Sequence, residues 1–175
     1  AIRQADPHLD EVEKFDVTSL EKVFLAGERC DPDTVHFLEK HLPDVGIVDH
    51  WWQTETGWPI TGFQDDLIGA RAGSCGRPLA GWDLRVIDEE TGDVAKGPME
   101  GKEGYLAIRL PLPPGTILSL YDNDQGFRDA YYREYPPGSG NGYYATGDAG
   151  HVDTDGYVHV MARTTDLINV AGHRL

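Results

Sequence analysis

Seven consecutive residues at 51–57, WWQTETG, put two indoles, an amide, two hydroxyls and a carboxylate directly before a helix-breaking glycine. Neither helix nor strand propensity selects that set, and the stretch reads as a binding loop. Other polar residues fall at the expected ends of elements: Glu28, Asp49, Asp148, Arg163 and Arg174. An ionised aspartate offers only acceptors, so an exposed Asp148 following a Tyr-Tyr strand suits a pair of ligand hydroxyls. Arginine suits phosphate because its fork donates two parallel charge-assisted bonds. Glu55 is a hard oxygen ligand able to hold magnesium beside substrate phosphates. Residue types and spacing by themselves therefore reach nucleotide binding, and surface or structural roles remain open for each residue taken singly.

These side chains need a scaffold. The short apolar run at 22–26 ends at Gly27 and predicts a buried strand entering a turn. Asp31 and Pro32 then read as N-cap and first helical residue, with Val35, Leu38 and Leu42 on one face and Pro43 as the stop, a helix of about ten residues. Residues 46–48 supply a second strand, and strand, helix, strand implies a right-handed parallel crossover. Ligands in open α/β sheets bind beyond the carboxyl ends of strands, which makes neighbours of Gly27-Glu28-Arg29 and the loop from Asp49 to Glu55.

Residues 62–81 are glycine-rich and irregular, with Arg77-Pro78 extended. Beyond Gly81 the period changes to the alternation of half-buried antiparallel strands, at 82–88 and 104–110. Residues 122–135 read as helical and 111–115 and 136–142 as loops. Residues 143–147 form a strand leading into Asp148, followed by a hairpin turn at 152–157 and a return strand at 157–161. Residues 6–14 suit either a short acidic helix or a loop.

Composition removes several function classes. The formal net charge of −15 opposes attraction to phosphate backbones and anionic membranes, which argues against nucleic acid and membrane as partners. No run approaches the length of a membrane span. Cys30 and Cys75 read as two thiols or one bridge. The histidines His50, His151, His159 and His173 lack zinc-ligand spacing. Counted as a calcium loop from Asp153, the DTDG turn puts Val158 at position six and Thr164 at position twelve, which rejects that reading. No GxSxG elbow or phosphate-loop signature is present.

Three long segments taken together resemble a known family. WWQTETG, YYATGDAGHVDTDGYVHVMAR and DLINVAGHRL, in this order and with these separations, are similar to the core motifs of the acyl-adenylate-forming enzymes, and within them to the short-chain acyl-CoA synthetases of the acetyl-CoA and propionyl-CoA synthetase type. FLAGERCDP resembles that branch's adenine-contacting turn. The resemblance covers essentially the whole chain. It implies an α/β fold: part of an α/β subdomain at 1–80, a mostly antiparallel distorted-barrel subdomain at 81–162, and a hinge segment at 163–175 leading to a C-terminal domain beyond the chain.

It also implies a two-step reaction of a small carboxylate with ATP and coenzyme A, with Mg2+ as cofactor. By position, Gly27, Glu28 and Arg29 line the adenine, while Asp49, His50, Trp51, Trp52 and Gln53 flank the adenine and acyl pocket. Thr54 contacts the α-phosphate and Glu55 binds the metal. Asp148 holds the ribose hydroxyls with Arg163 beside it, Arg174 meets phosphate oxygens, and Trp52 closes the acyl pocket. Trp58 and Pro59 look closer to the propionyl type. Arg29 stands where proline is frequent, although a GERCD version also occurs, and Thr165 replaces the first of two hinge acids. The phosphate loop and the adenylating lysine are expected in the rest of a parent chain, which implies an internal fragment inactive alone, from a bacterial cytoplasm or mitochondrial matrix. Two alternatives stand beside this reading: a noncatalytic adenine-nucleotide-binding module, and an adenylation domain that loads a carrier protein.

Overall fold

The computed structural model describes residues 2–63, 71–95, 103–134 and 142–164, together with the backbone at Asn169–Val170 and His173–Arg174. Thr165, the side chain of Arg174 and most of the loop expected at 136–142 lie outside the described residues.

Within 6–14 the chain is mostly loop, with no α-helix. A single helical turn, α1 (Ile2–Ala5), is followed by a 3-10 turn at Val12–Lys14. The Asp6 carboxylate accepts the backbone N–H groups of Asp10 and Glu11, at 2.9 and 3.0 Å, which fixes the intervening loop.

The parallel unit follows the hydrophobic pattern closely. Strands β1 (Lys22–Leu25) and β2 (Gly46–Asp49) pair in parallel, with Leu25 opposite Asp49, and α2 (Pro32–His41) connects them. Asp31 caps α2 by accepting from the N–H and hydroxyl of Thr34, and Pro32 opens it where no N–H partner is needed. Val35 and Leu38, about one turn apart, press onto Ile47 as a small core. On the other face of this pair, Phe24 is 61% exposed.

Past β2 the chain enters the 51–57 loop. Trp51 bridges antiparallel to Thr61, and β3 (Thr61–Gly62) pairs with β4 (Arg77–Pro78). Four strands then form an antiparallel sheet in chain order: β5 (Leu84–Ile87), β6 (Gly104–Arg109), β7 (Tyr143–Val152) and β8 (Val158–Arg163). Between β6 and β7, α3 (Asp124–Tyr131) packs Phe127, Tyr131 and Tyr132 toward Tyr144. It is shorter than the span expected at 122–135. Asp122 has φ +48°, outside the helical region, and Asn123 caps the helix by accepting the Gly126 N–H. A two-residue ribbon, β9 (Asn169–Val170) with β10 (His173–Arg174), completes the described backbone.

The main core ties the loop to the sheet. Trp51 and Ile60 are buried in one cluster with Cys75, Trp82, Val86, Leu106, Ile108, Tyr144 and Val158. Both cysteines are free. The Asp153 turn closes as a hairpin, its backbone exchanging bonds with Tyr157 and Gly156. The Asp153 carboxylate is committed to the N–H groups of Asp155 and Tyr157 and to Arg71.

Two sheet elements exceed their expected lengths, and the site depends on both. β7 continues through Asp148, with register shifts against both β6 and β8, because its glycines take conformations other residues resist. Gly147 has φ +71°, and a Cβ at Gly150 would come 2.1 Å from the His159 carbonyl oxygen. β8 continues to Arg163, which the register sets opposite Asp148.

Candidate active site

The 51–57 loop alternates inward and outward. Trp51, Gln53 and Thr56 are buried, whereas Trp52 and Thr54 are exposed and Glu55 lies between. A 3-10 turn at Thr54–Thr56 sets this pattern. The Gln53 N–H donates to the Thr56 hydroxyl, and the turn ends at Gly57 with φ +72°. A Cβ there would lie 2.5 Å from the Gly115 carbonyl oxygen, so glycine is required by space as well as by φ.

The inward residues converge on Asp148, which is 5% exposed, not the exposed carboxylate expected from its place after Tyr143-Tyr144. Asp148 sits where β7 bulges against β6, and Trp51 and Gln53 close over it. Its Oδ2 accepts from Trp51 Nε1 at 3.0 Å and from Gln53 Nε2 at 2.7 Å. Its Oδ1 lies 3.2 Å from Nε of Arg163, whose side chain is 54% exposed. Burial raises the Asp148 carboxyl above the ordinary aspartate range, opposed by the Arg163 charge and by the donors from Trp51 and Gln53. The Gln53 amide is itself saturated: Nε2 also donates to the Thr146 carbonyl at 2.6 Å, and Oε1 accepts from the Tyr144 hydroxyl at 3.0 Å. Every polar atom of this cluster that faces the interior has a partner, which is the condition for a buried network to be rigid.

Asp148 and Arg163 lie on a boundary between two cavities. The first, about 310 Å³, is lined by Gly27, Glu28 and Arg29 after β1, by Asp49, His50, Trp51 and Trp52 after β2, and by Cys75 and β8 residues Val160–Arg163. The two strand-end loops therefore do meet, as the parallel topology requires. Asp49 is buried here with no counter-charge among the described residues, and burial pushes its carboxyl up to about 6 against the opposing His50 backbone N–H. Cys75 is likewise pushed up to about 11 by burial, an inert thiol. Trp52 is 45% exposed at the rim. His50 packs edge-on to Phe24 at 5.6 Å, and its Nδ1 is buried without a hydrogen-bond partner among the described residues.

The second cavity, about 610 Å³, lies on the other side of Asp148 and is lined by Glu55, Tyr131, Thr146, Gly147, Arg163 and Thr164, among others. Thr54 lines neither. Glu55 Oε1 accepts from the Tyr131 hydroxyl at 2.6 Å, and burial together with this bond pushes the phenol up to about 12, so it remains a donor. No cluster of three or more metal-binding side chains occurs among the described residues. One accessible carboxylate still fits magnesium, which keeps several waters and takes one or two carboxylates plus substrate phosphates.

Sequence reasoning passed over Tyr131, Tyr144 and Thr146. The first two belong to Tyr-Tyr pairs at 131–132 and 143–144, a visible signal, but only the packing of α3 on β7 reveals what their hydroxyls reach.

The two cavities share the buried Asp148 carboxylate, and comparison with known proteins gives the chain a family. A family model described as AMP-binding enzyme matches residues 2–116, and the chain belongs to that family. It is homologous to short-chain acyl-CoA synthetases. It is 38% identical over 178 residues to the mitochondrial acyl-CoA synthetase short-chain family member 3 of Homo sapiens, covering 100% of this chain and 24% of that protein. It is 39% identical over 167 residues to the propionate–CoA ligase of Escherichia coli, covering 94% of this chain and 25% of that protein. The chain thus spans about a quarter of the length of the curated relatives it matches. Among solved structures, the anthranilate CoA ligase AuaEII in complex with anthranoyl-AMP matches 96% of this chain and 29% of its own, with a TM-score of 0.75 at 24% identity. The fold is accordingly part of an adenylate-forming enzyme, mixed α/β with an antiparallel sheet. No helix among the described residues is long and apolar enough to cross a membrane.

Proposed function

We propose that these residues form the adenosine side of a short-chain acyl-CoA synthetase active site. The observation that carries the reading is Asp148, buried yet bordering both cavities and held by Trp51, Gln53 and Arg163. A carboxylate fixed by protein donors, with lone pairs left over, suits a vicinal diol. Its network is complete before any ligand arrives, so binding would cost little reorganisation.

In this reading Gly27, Glu28, Arg29 and Asp49 surround the adenine, His50, Trp51 and Gln53 flank the adenine and acyl pocket, and Trp52 limits acyl length by overlap. Thr54 and Arg174 contact phosphate oxygens. Glu55 holds Mg2+, whose bound charge stabilises the negative charge that builds on the α-phosphate. The carboxylate oxygen of the acid attacks the α-phosphorus, the bond to the bridging oxygen of the β-phosphate breaks, and pyrophosphate leaves. Coenzyme A thiol, losing its proton, then attacks the acyl carbonyl carbon and expels AMP. The four-stranded sheet belongs, on this view, to a distorted barrel at 81–162, and 163–175 to a hinge toward a C-terminal domain. Such an enzyme would work in a bacterial cytoplasm or a mitochondrial matrix.

The test is ATP–pyrophosphate exchange with acetate, propionate and butyrate by the full-length protein that carries this sequence, with the isolated 175 residues as comparison. Exchange by the full-length protein with one of these acids and none by the isolated chain is the expected result. No exchange with any short acid would remove the substrate class, and robust exchange by the isolated chain would remove the fragment reading.

A further inference from the structure

The carboxylate assigned to the metal does not point into its cavity unsupported. Glu55 is fixed twice: its backbone carbonyl accepts from the Ile117 N–H at 2.7 Å, and its Oε1 accepts from the Tyr131 hydroxyl at 2.6 Å. Tyr131 is the last residue of α3, and its ring stacks on Tyr144 with centroids 5.2 Å apart and planes 18° from parallel. Tyr144 is fully buried, and its own hydroxyl holds Gln53, which holds Asp148. One aromatic stack therefore supports both carboxylates of the site. Tyr131 serves Glu55 and Tyr144 serves Asp148.

We propose that Tyr131 is a positioning residue for metal binding: by occupying Oε1 of Glu55 it presents Oε2 to a divalent cation carried by nucleotide phosphates. The proposal rests on the reading of Glu55 as the metal-side carboxylate. A carboxylate on an unrestrained side chain loses rotamer freedom when it takes up a cation, whereas one already hydrogen-bonded has lost it in folding. Groups that orient a metal ligand in this way are typically worth about 10- to 100-fold in metal affinity.

The test uses the full-length protein and four variants: Tyr131→Phe, Glu55→Gln, the double variant and Tyr144→Phe. Mn2+ uptake is read by electron paramagnetic resonance in the presence of α,β-methylene-ATP, and metal-free AMP binding by calorimetry. Tyr131→Phe keeps the ring and its stack, so AMP affinity without metal should be unchanged while Mn2+ affinity falls about tenfold. The double variant should bind Mn2+ no more weakly than Glu55→Gln alone, because Tyr131 acts only through that carboxylate. With Mn2+ uptake read at saturating nucleotide, Tyr144→Phe should show the opposite split, with weakened AMP binding and unchanged Mn2+ affinity. Unchanged Mn2+ affinity in Tyr131→Phe, with a clear loss in Glu55→Gln, would overturn the proposal and leave the reading of Glu55 standing. Unchanged affinity in Glu55→Gln as well would overturn both.

Discussion

The first cavity has two walls built on different terms. On the β7–β8 wall, Asp148 is closed in by the Trp51 indole, the Gln53 amide and the Arg163 guanidinium, and Gln53 is closed in by Tyr144 and Thr146. On the β1–β2 wall, Glu28 and Arg29 are exposed, and Asp49 is buried without a counter-charge among the described residues. One wall is finished by the protein's own side chains. On the proposed reading, the other leaves its polar groups for a ligand. On the same reading, the carboxylate assigned to the ribose is preorganised by tertiary structure, while adenine recognition would rely on strand ends set by the parallel unit alone.

Three variants would break or sharpen that contrast. The largest effect is expected for Asp148→Ala. It strands the Trp51 and Gln53 donors in the interior at roughly 2 kcal/mol each, so stability should fall by about 4 kcal/mol with loss of nucleotide binding. Urea unfolding and calorimetry measure the two losses. A drop below about 1 kcal/mol would show that the network is not a structural unit.

Asp49→Asn comes next, with the opposite sign. Its carboxyl is raised from 3.8 to about 6 by burial, so the folded state resists ionisation. The native protein therefore loses stability from this group as pH rises through that interval, and the loss is complete above it. The asparagine variant should gain up to about 3 kcal/mol at pH 8 and gain nothing below pH 4, as followed by denaturation across that range. A gain independent of pH would mean that the carboxylate charge is not the cause. The smallest effect belongs to Arg29→Ala, within about 0.5 kcal/mol in stability, because the side chain is exposed. Unfolding curves that shifted by more would place Arg29 in the folded framework instead of the ligand rim.

The parallel unit was legible because its signals are local. Gly27, the Asp31-Pro32 start and the spacing of Val35 and Leu38 each act within a few residues, and β1, α2 and β2 appear where they point. The sheet was legible in kind but not in extent. Gly147 and Gly150 look like strand breakers in sequence, yet the left-handed turn and the close approach to His159 let β7 pass through them. That one difference converts Asp148 from an exposed carboxylate into a buried one. The tyrosine hydroxyls were hidden for a related reason: Tyr131 meets Glu55 across 76 positions and Tyr144 meets Gln53 across 91, separations that no periodicity encodes.

The most direct measurement of the central claim compares AMP with 2′,3′-dideoxy-AMP by calorimetry, in the native full-length protein and in Asp148→Asn. If the buried carboxylate holds the ribose diol, the native protein should prefer AMP by about 1.5 to 3 kcal/mol, as expected for hydrogen bonds to a charged group, and the variant should lose most of that preference. Equal preference in both proteins would contradict the account.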